Sequence, residues 1–268
     1  MRAKKSLGQH FLKSERALGK IIEASRLSGG DTVLEIGPGK GGLTKKLLDT
    51  GARVVAVEKD YELFEFLKLE FRKEVESGKL ELICADILEF DLSKLEGLSY
   101  KLVANIPYNI TGAIFKKFLS TENQPKEMVL LVQQEVAQRI LARDGKESIL
   151  SISVKVYGNP RFVEKVLAGS FVPMPKVDSA ILAVDNISKE FFSSANRRIP
   201  EEKFFALLRA GFKSKRKKLS SNLSTTLDKE KVVTIFRELG IDENVRAEDL
   251  NLKDWWNISS SLLESYGR

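Results

Sequence analysis

Two short stretches carry residue types that do chemistry. The first is Val33-Leu34-Glu35-Ile36-Gly37-Pro38-Gly39-Lys40-Gly41-Gly42, an apolar run that breaks into glycines. Glycines let a backbone turn tightly and approach a ligand. Gly37, Gly39 and Gly42 satisfy G-x-G-x-x-G, and Glu58 follows about 20 residues later at the end of the next apolar run. A carboxylate there suits the hydroxyls of a ribose, so a dinucleotide cofactor is one reading. The second stretch is Asn105-Ile106-Pro107-Tyr108, again directly after an apolar run. It brings together an amide, a carbonyl in a proline-fixed turn and an aromatic face. Asp86 follows a third apolar run and reads equally well as a turn cap or as an acceptor for an amino group. With one histidine (His10) and one cysteine (Cys84), a Cys/His zinc site, a disulfide scaffold and most Cys–His or Ser–His–Asp catalysis are excluded.

These residues need a frame, and the pattern supplies one. Short apolar strands are predicted at 32–36, 53–57, 80–84, 101–104 and 128–133. Helices are predicted at 14–27, 41–49, 60–71 and 111–119, the first capped by Ser14. Such alternation predicts an α/β fold on a parallel sheet. The alternating Ile149-Leu150-Ser151-Ile152-Ser153-Val154-Lys155-Val156 reads as a strand. Residues 161–166 and 179–184 read as an antiparallel pair at the sheet edge. From about residue 187 the pattern becomes helical, with Pro200 expected in the first turn of a helix. Residues 187–268 hold 16 Lys plus Arg against 12 Asp plus Glu. Two domains are expected, 1–186 and 187–268. The 268 residues are 43% hydrophobic and 30% charged, which excludes a disordered chain. The longest apolar runs are too short to span a bilayer, and no apolar core follows Met1-Arg2-Ala3-Lys4-Lys5, so a cytoplasmic protein is expected. A net charge of +7 leans toward a polyanionic partner. Lys213-Ser214-Lys215-Arg216-Lys217-Lys218 concentrates five cations in six residues, and Arg2, Lys4 and Lys5 add to them.

Glu35 and Pro38 shape the glycine turn so that it resembles motif I of S-adenosylmethionine (SAM)-dependent methyltransferases more than a pyrophosphate cradle. The ammonium of such a cofactor suits a nearby acid. Asn105-Ile106-Pro107-Tyr108 is similar to motif IV of methyltransferases that act on exocyclic amino nitrogens. The N6 lone pair of adenine is delocalised into its ring. The Asn105 oxygen and the Ile106 carbonyl would bind the two N6–H groups and favour a more tetrahedral nitrogen, with the base stacked on Tyr108.

Together with Gly8-Gln9-His10-Phe11-Leu12 and Phe171-Val172-Pro173-Met174-Pro175-Lys176-Val177-Asp178-Ser179, these motifs resemble the rRNA adenine N6-dimethyltransferase family, in the family's order and over nearly the whole chain. The resemblance implies a Rossmann-like, seven-stranded SAM-dependent methyltransferase sheet with a small all-helical, RNA-binding C-terminal domain. It implies SAM contacts from His10, Leu12, Gly37, Gly39, Glu58, Asp86 and Asn105. It also implies base stacking by Tyr108 and Phe171 beside Asn105, Ile106 and Pro107. The family more often has Asn where His10 stands, so a backbone contact is expected there. The resemblance places residues 149–157 partly in a helix, against the alternating pattern. The implied reaction is dimethylation of two adjacent adenosines near the 3′ end of 16S rRNA, by a monomer, on an immature small ribosomal subunit with no membrane involved. Rival readings are a macrolide-resistance methyltransferase acting on large-subunit rRNA, a non-enzymatic assembly factor and a nicotinamide-dependent oxidoreductase.

Overall fold

The computed structural model describes residue 4 and residues 7–193 and 199–266. Arg2 and Lys5 lie outside the described residues. The chain forms two compact units. One comprises Met1–Ala137 with Gly158–Ile187, and the other Gln138–Tyr157 with Ser188–Arg268.

The first unit is built on strands β1 (Phe11–Leu12), β2 (Thr32–Ile36), β3 (Arg53–Glu58), β4 (Leu80–Cys84), β5 (Tyr100–Asn105), β6 (Met128–Gln133), β7 (Asn159–Val166), β8 (Phe171–Val172) and β9 (Ser179–Asp185). Seven of them form one sheet in the order β4-β3-β2-β5-β6-β9-β7. Strands β2 to β6 pair in parallel, and β9 runs antiparallel to both β6 and β7. The expected edge pair is therefore present, with β7 outermost. The parallel strands are almost continuously apolar because both faces are covered. The chain leaves β2 toward β3 and β4, then returns to β2's other side as β5. That reversal opens a crevice at the carboxyl ends of β2 and β5, where ligands bind in open α/β sheets.

The helices of this unit are α1 (Glu15–Ser25), α2 (Gly42–Asp49), α3 (Tyr61–Glu70), α4 (Arg72–Glu76) and α5 (Thr111–Leu119). Ser14 caps α1 by accepting from Ala17 N–H, as its sequence position predicts. Asp60 caps α3 in the same way, from Glu62 N–H.

Next comes α6 (Gln134–Leu141), which runs from the first unit into the second, and then α7 (Ile149–Lys155). The strand expected at 149–156 is thus a helix. Ser148 and Ser151 form a reciprocal capping box, with Ser151 N–H donating to Ser148 Oγ at 3.1 Å and Ser148 N–H to Ser151 Oγ at 2.6 Å. The box satisfies the first-turn donors, and Ile152 and Val156, four residues apart, are both buried. The period-two reading overlooked the cap.

The second unit continues with α8 (Glu190–Ser193), α9 (Glu201–Gly211), α10 (Leu219–Leu223), α11 (Lys229–Glu238) and α12 (Leu252–Tyr266). Pro200 is the N-cap of α9 rather than a residue of its first turn. Aromatic rings fill the core: Phe191 meets Phe204 edge-on at 5.3 Å and Trp256 at 4.8 Å. Tyr157 packs on Phe192 and Phe205, and Glu147 N–H donates to the Glu248 carbonyl at 2.7 Å. Residues 138–157 therefore belong with the helical unit, which a single cut at 186 does not capture. Among the described residues no helix is long and apolar enough to cross a membrane.

β1 and β8 form a separate two-stranded ribbon, with Leu12 opposite Phe171 and Phe11 opposite Val172. Phe171 is only 2% exposed and packs into the core with Leu18, Val166 and Ile181 among its cluster. Phe171→Ala is therefore expected to cost roughly 3–5 kcal/mol of stability, as a core aromatic does. Denaturant unfolding measures this, and a loss below about 1 kcal/mol would contradict the placement.

Candidate active site at the carboxyl ends of the parallel strands

The carboxyl ends of β2, β3, β4 and β5 bring Gly37, Glu58, Asp86 and Asn105 to one cleft of about 510 Å³. Residues 7–13 form its opposite wall. The volume is that of a small-molecule site. Gly37, Gly39, Asn105, Ile106, Pro107, Tyr108, His10 and Leu12 all line it, as the sequence predicts. Phe171 does not; its neighbour Val172 does. In a strand adjacent side chains point to opposite faces, so the ring enters the core while Val172 faces the cleft. The stacking role expected for Phe171 is corrected accordingly: its ring offers no face to a base here.

The glycine turn is closed on itself. Gly37 N–H donates to the Val57 carbonyl at 2.9 Å and Gly41 N–H to the Pro38 carbonyl at 2.9 Å. Gly39 N–H donates to Glu58 Oε2 at 3.0 Å. A pyrophosphate cradle requires such N–H groups to point at the ligand, and these three are already committed to protein acceptors. Gly39 also has φ +61°, and a Cβ there would lie 3.0 Å from the Phe11 ring. Only glycine allows the Phe11 ring to close over the turn.

Glu58 is 5% exposed. Its other oxygen, Oε1, accepts from Asp60 N–H at 2.8 Å. Burial pushes its carboxyl above the usual range, and backbone N–H donors, those of Asp60 and Gly39 foremost, pull it partly back. Each oxygen keeps a further lone pair, so the group is oriented to accept a vicinal diol. Asp86 accepts from Leu88 N–H at 2.9 Å and pairs with Lys59 at 2.6 Å. It is thus a turn cap as well as a cleft residue. The Lys59 hydrogen bond holds its carboxyl below the usual range.

The Asn105 amide nitrogen donates to the His10 carbonyl at 2.9 Å. His10 Nδ1 lies 2.7 Å from the Pro173 carbonyl, which can only accept, so Nδ1 carries the proton. The imidazole stacks on Tyr108 with ring centres 5.8 Å apart at 18°. The Tyr108 and Ser179 hydroxyls share a hydrogen bond of 2.6 Å. Burial pushes the Tyr108 phenol up from its ordinary value. The contact of the His10 side chain with Tyr108, the Ser179 partner and the Lys59–Asp86 pair are not legible as spacing. They join segments that are far apart in sequence.

Glu35, at the end of β2, is 1% exposed, and its Oε2 makes no hydrogen bond. Burial pushes its carboxyl up to about 8; the Glu58 carboxylate acts in the same direction, against the neighbouring Thr44 hydroxyl. A buried acid with one unbonded oxygen beside a glycine turn suits a cationic ligand better than a phosphate. The closed turn, the diol-ready Glu58 and this acid together fit S-adenosylmethionine.

The raised Glu35 value has a thermodynamic consequence. Between the ordinary carboxylate range and about pH 8 the folded chain holds a proton that the unfolded chain has lost. Stability therefore falls as pH rises through that window and levels off above it. Glu35→Gln is expected to flatten this dependence and to be more stable than the parent at about pH 8. Urea unfolding across the window checks it, and an unchanged slope would contradict the burial of an unpartnered carboxyl.

Comparison with known proteins agrees with this chemistry. The family model described as Ribosomal RNA adenine dimethylase matches residues 1–264. The chain is similar to the Ribosomal RNA small subunit methyltransferase A of Dehalococcoides mccartyi strain CBDB1, 40% identical over 259 residues, covering 95% of this chain and 87% of that protein. Among solved structures it is similar to a dimethyladenosine transferase from Plasmodium falciparum, with TM-score 0.79, 28% identity, and coverage of 96% of this chain and 98% of that one. It is also similar to the 23S rRNA methyltransferase ErmE, with TM-score 0.76, 25% identity, and coverage of 94% and 99%. By the full-length family match, the chain belongs to the ribosomal RNA adenine dimethylases, which take their methyl groups from S-adenosylmethionine.

Proposed function

We propose that the protein dimethylates the N6 amino groups of two adjacent adenosines near the 3′ end of small-subunit (16S) rRNA, acting in the cytoplasm as a monomer on the immature small subunit. The observation that carries the reading is the Asn105–Tyr108 turn at the end of the central strand, its amide held by His10. The small-subunit target is supported by the name of the 40% identical relative, which spans most of both chains.

S-adenosylmethionine supplies an electrophilic methyl group on a sulfonium. Glu58 would bind the ribose hydroxyls, Asp86 the adenine amino group, and the residue 10–12 segment would cover the cofactor beside Gly37 and Gly39. At the target base, the Asn105 oxygen and the Ile106 carbonyl accept the N6–H groups and turn the nitrogen lone pair toward the methyl. Tyr108, held by Ser179, supplies the stacking face. Orientation and electrostatics carry the rate, so no strong base is required. The adenine must leave its stack to reach Tyr108, which favours a loop or helix end of folded RNA.

RNA affinity would come from the cationic stretch. Lys213, Lys215, Arg216, Lys217 and Lys218 are all exposed on the connection between α9 and α10. Asn222 fixes that connection by donating to the Gly211 carbonyl at 2.6 Å and the Ser214 carbonyl at 3.0 Å. Lys4, by contrast, is paired to an acid at 2.7 Å.

Incubation of the purified protein with labelled S-adenosylmethionine and immature small subunits, followed by mass spectrometry of the RNA, tests the reading. N6,N6-dimethyladenosine at two neighbouring positions of small-subunit rRNA is expected. Methylation confined to large-subunit rRNA would favour the function named for the ErmE likeness instead. Replacing Lys215, Arg216, Lys217 and Lys218 together by Ala is expected to weaken RNA binding and flatten its salt dependence while leaving cofactor affinity intact. An unchanged slope of log affinity against log salt would remove the stretch from the interface.

A further inference from the structure

Asp60 caps α3, but its carboxylate does more than accept from Glu62 N–H. Its side chain is only 2% exposed, an unusual position for an acid. Lys4 Nζ donates to Oδ1 at 2.7 Å, and Gln9 Nε2 donates to Oδ2 at 3.0 Å. The two donors are themselves linked, since Lys4 N–H donates to Gln9 Oε1 at 2.8 Å. Glu62 adds a second acid to Lys4 at 3.1 Å. A buried carboxylate recovers its desolvation cost only through partners such as this cation and amide, and stripped of both it is strongly disfavoured. The contact is therefore closer to two-state than a surface ion pair.

Its position gives it a task. Residues 7–13 form one wall of the cleft, and this segment is pinned at two ends. At the far end Phe11 and Leu12 pair with β8, and the His10 carbonyl takes the Asn105 amide. At the near end the segment has Lys4 and Gln9 on Asp60. Asp60 also passes the contact inward, because its own N–H orients Glu58, which in turn holds Gly39. Between the two pins the Phe11 ring lies against Gly39, with Lys40 Nζ 5.1 Å from its centre.

We propose that Asp60, Lys4 and Gln9 form a latch that holds residues 7–12 closed over the bound cofactor and sets how fast the spent cofactor leaves. Asp60 is a positioning residue and touches neither reacting group. The proposal rests on the reading of the cleft as the S-adenosylmethionine site. Dimethylation of two adenosines consumes four methyl groups, so the latch must open for each exchange. The pin at β8 and Asn105 need not break: Phe11 then stays over Gly39, and release at Asp60 frees the segment on the side of Glu58.

The test measures release of S-adenosylhomocysteine from the full-length protein by stopped-flow displacement, alongside melting temperature and hydrogen exchange of residues 7–13. Asp60→Asn keeps an oxygen to cap α3 but weakens the pair with Lys4. The double change Lys4→Ala with Gln9→Ala leaves α3 and Glu58 untouched. Both variants are expected to release the ligand faster by on the order of tenfold. They should also exchange residues 7–13 faster, with little change in melting temperature in Asp60→Asn, which leaves no buried charge unpaired. Lys4→Arg, which keeps the charge, is expected to release it at close to the parental rate. Parental release rates in both disabled variants would overturn the latch. So would faster release that only tracks a fall in melting temperature. A parent protein that fails to bind S-adenosylhomocysteine would instead overturn the cofactor reading itself.

Discussion

The His10 carbonyl can only accept, so the Asn105 amide must meet it with its nitrogen, and the side-chain oxygen is left for the cleft. That single choice gives the site its chemical polarity. Asn105 ends β5, the central strand, so its backbone is held by pairing to β2 on one side and β6 on the other. His10 belongs to a segment pinned by β8 on one side and by Asp60 on the other. An amide whose two faces are nearly isosteric is thus oriented by a rigid sheet and by a segment almost a hundred residues away in sequence. Pro107 then fixes the next turn, and Ile106 lines the same cleft.

Around this point the structure gathers acids rather than diluting them. Glu35, Glu58 and Asp60 are all buried within a short distance along two strand ends. Three different solutions keep them tolerable. Asp60 has two side-chain donors and is held ionised. Glu58 has two backbone donors. Glu35 has none on Oε2 and keeps its proton well above the carboxylate range. The uneven treatment fits a cationic cofactor: Glu58 is a fixed acceptor, and Glu35 is a carboxyl that a neighbouring cation would ionise.

Much of this was legible in the sequence because it is local. The strand ends at Ile36, Glu58 and Asn105, the glycine turn and the cap at Ser14 are encoded within a few residues of where they act. Two readings failed for physical reasons. Residues 149–156 alternate like a strand, yet Ser148 and Ser151 start a helix, and the cap outweighs β-branched propensity. Phe171 sits one residue from the cleft-facing Val172, and strand alternation sends its ring into the core. The latch was invisible because Asp60 has an ordinary local explanation as a cap, and nothing in the spacing of Lys4, Gln9 and Asp60 joins them. The grouping of residues 138–157 with the helical unit was hidden likewise, since it depends on Tyr157 and Glu147 meeting partners far along the chain.

In the proposed reaction the Asn105 oxygen and the Ile106 carbonyl together grip the target N6. A crystal structure of the protein with a bisubstrate ligand, adenosine joined through N6 to the aminoacyl-adenosine portion of the cofactor, tests it most directly. The account predicts N6 within hydrogen-bond distance of both oxygens, the adenine stacked on Tyr108, and the Asn105 nitrogen still on the His10 carbonyl. An Asn105 side chain turned the other way, or a base seated away from Tyr108, would contradict it.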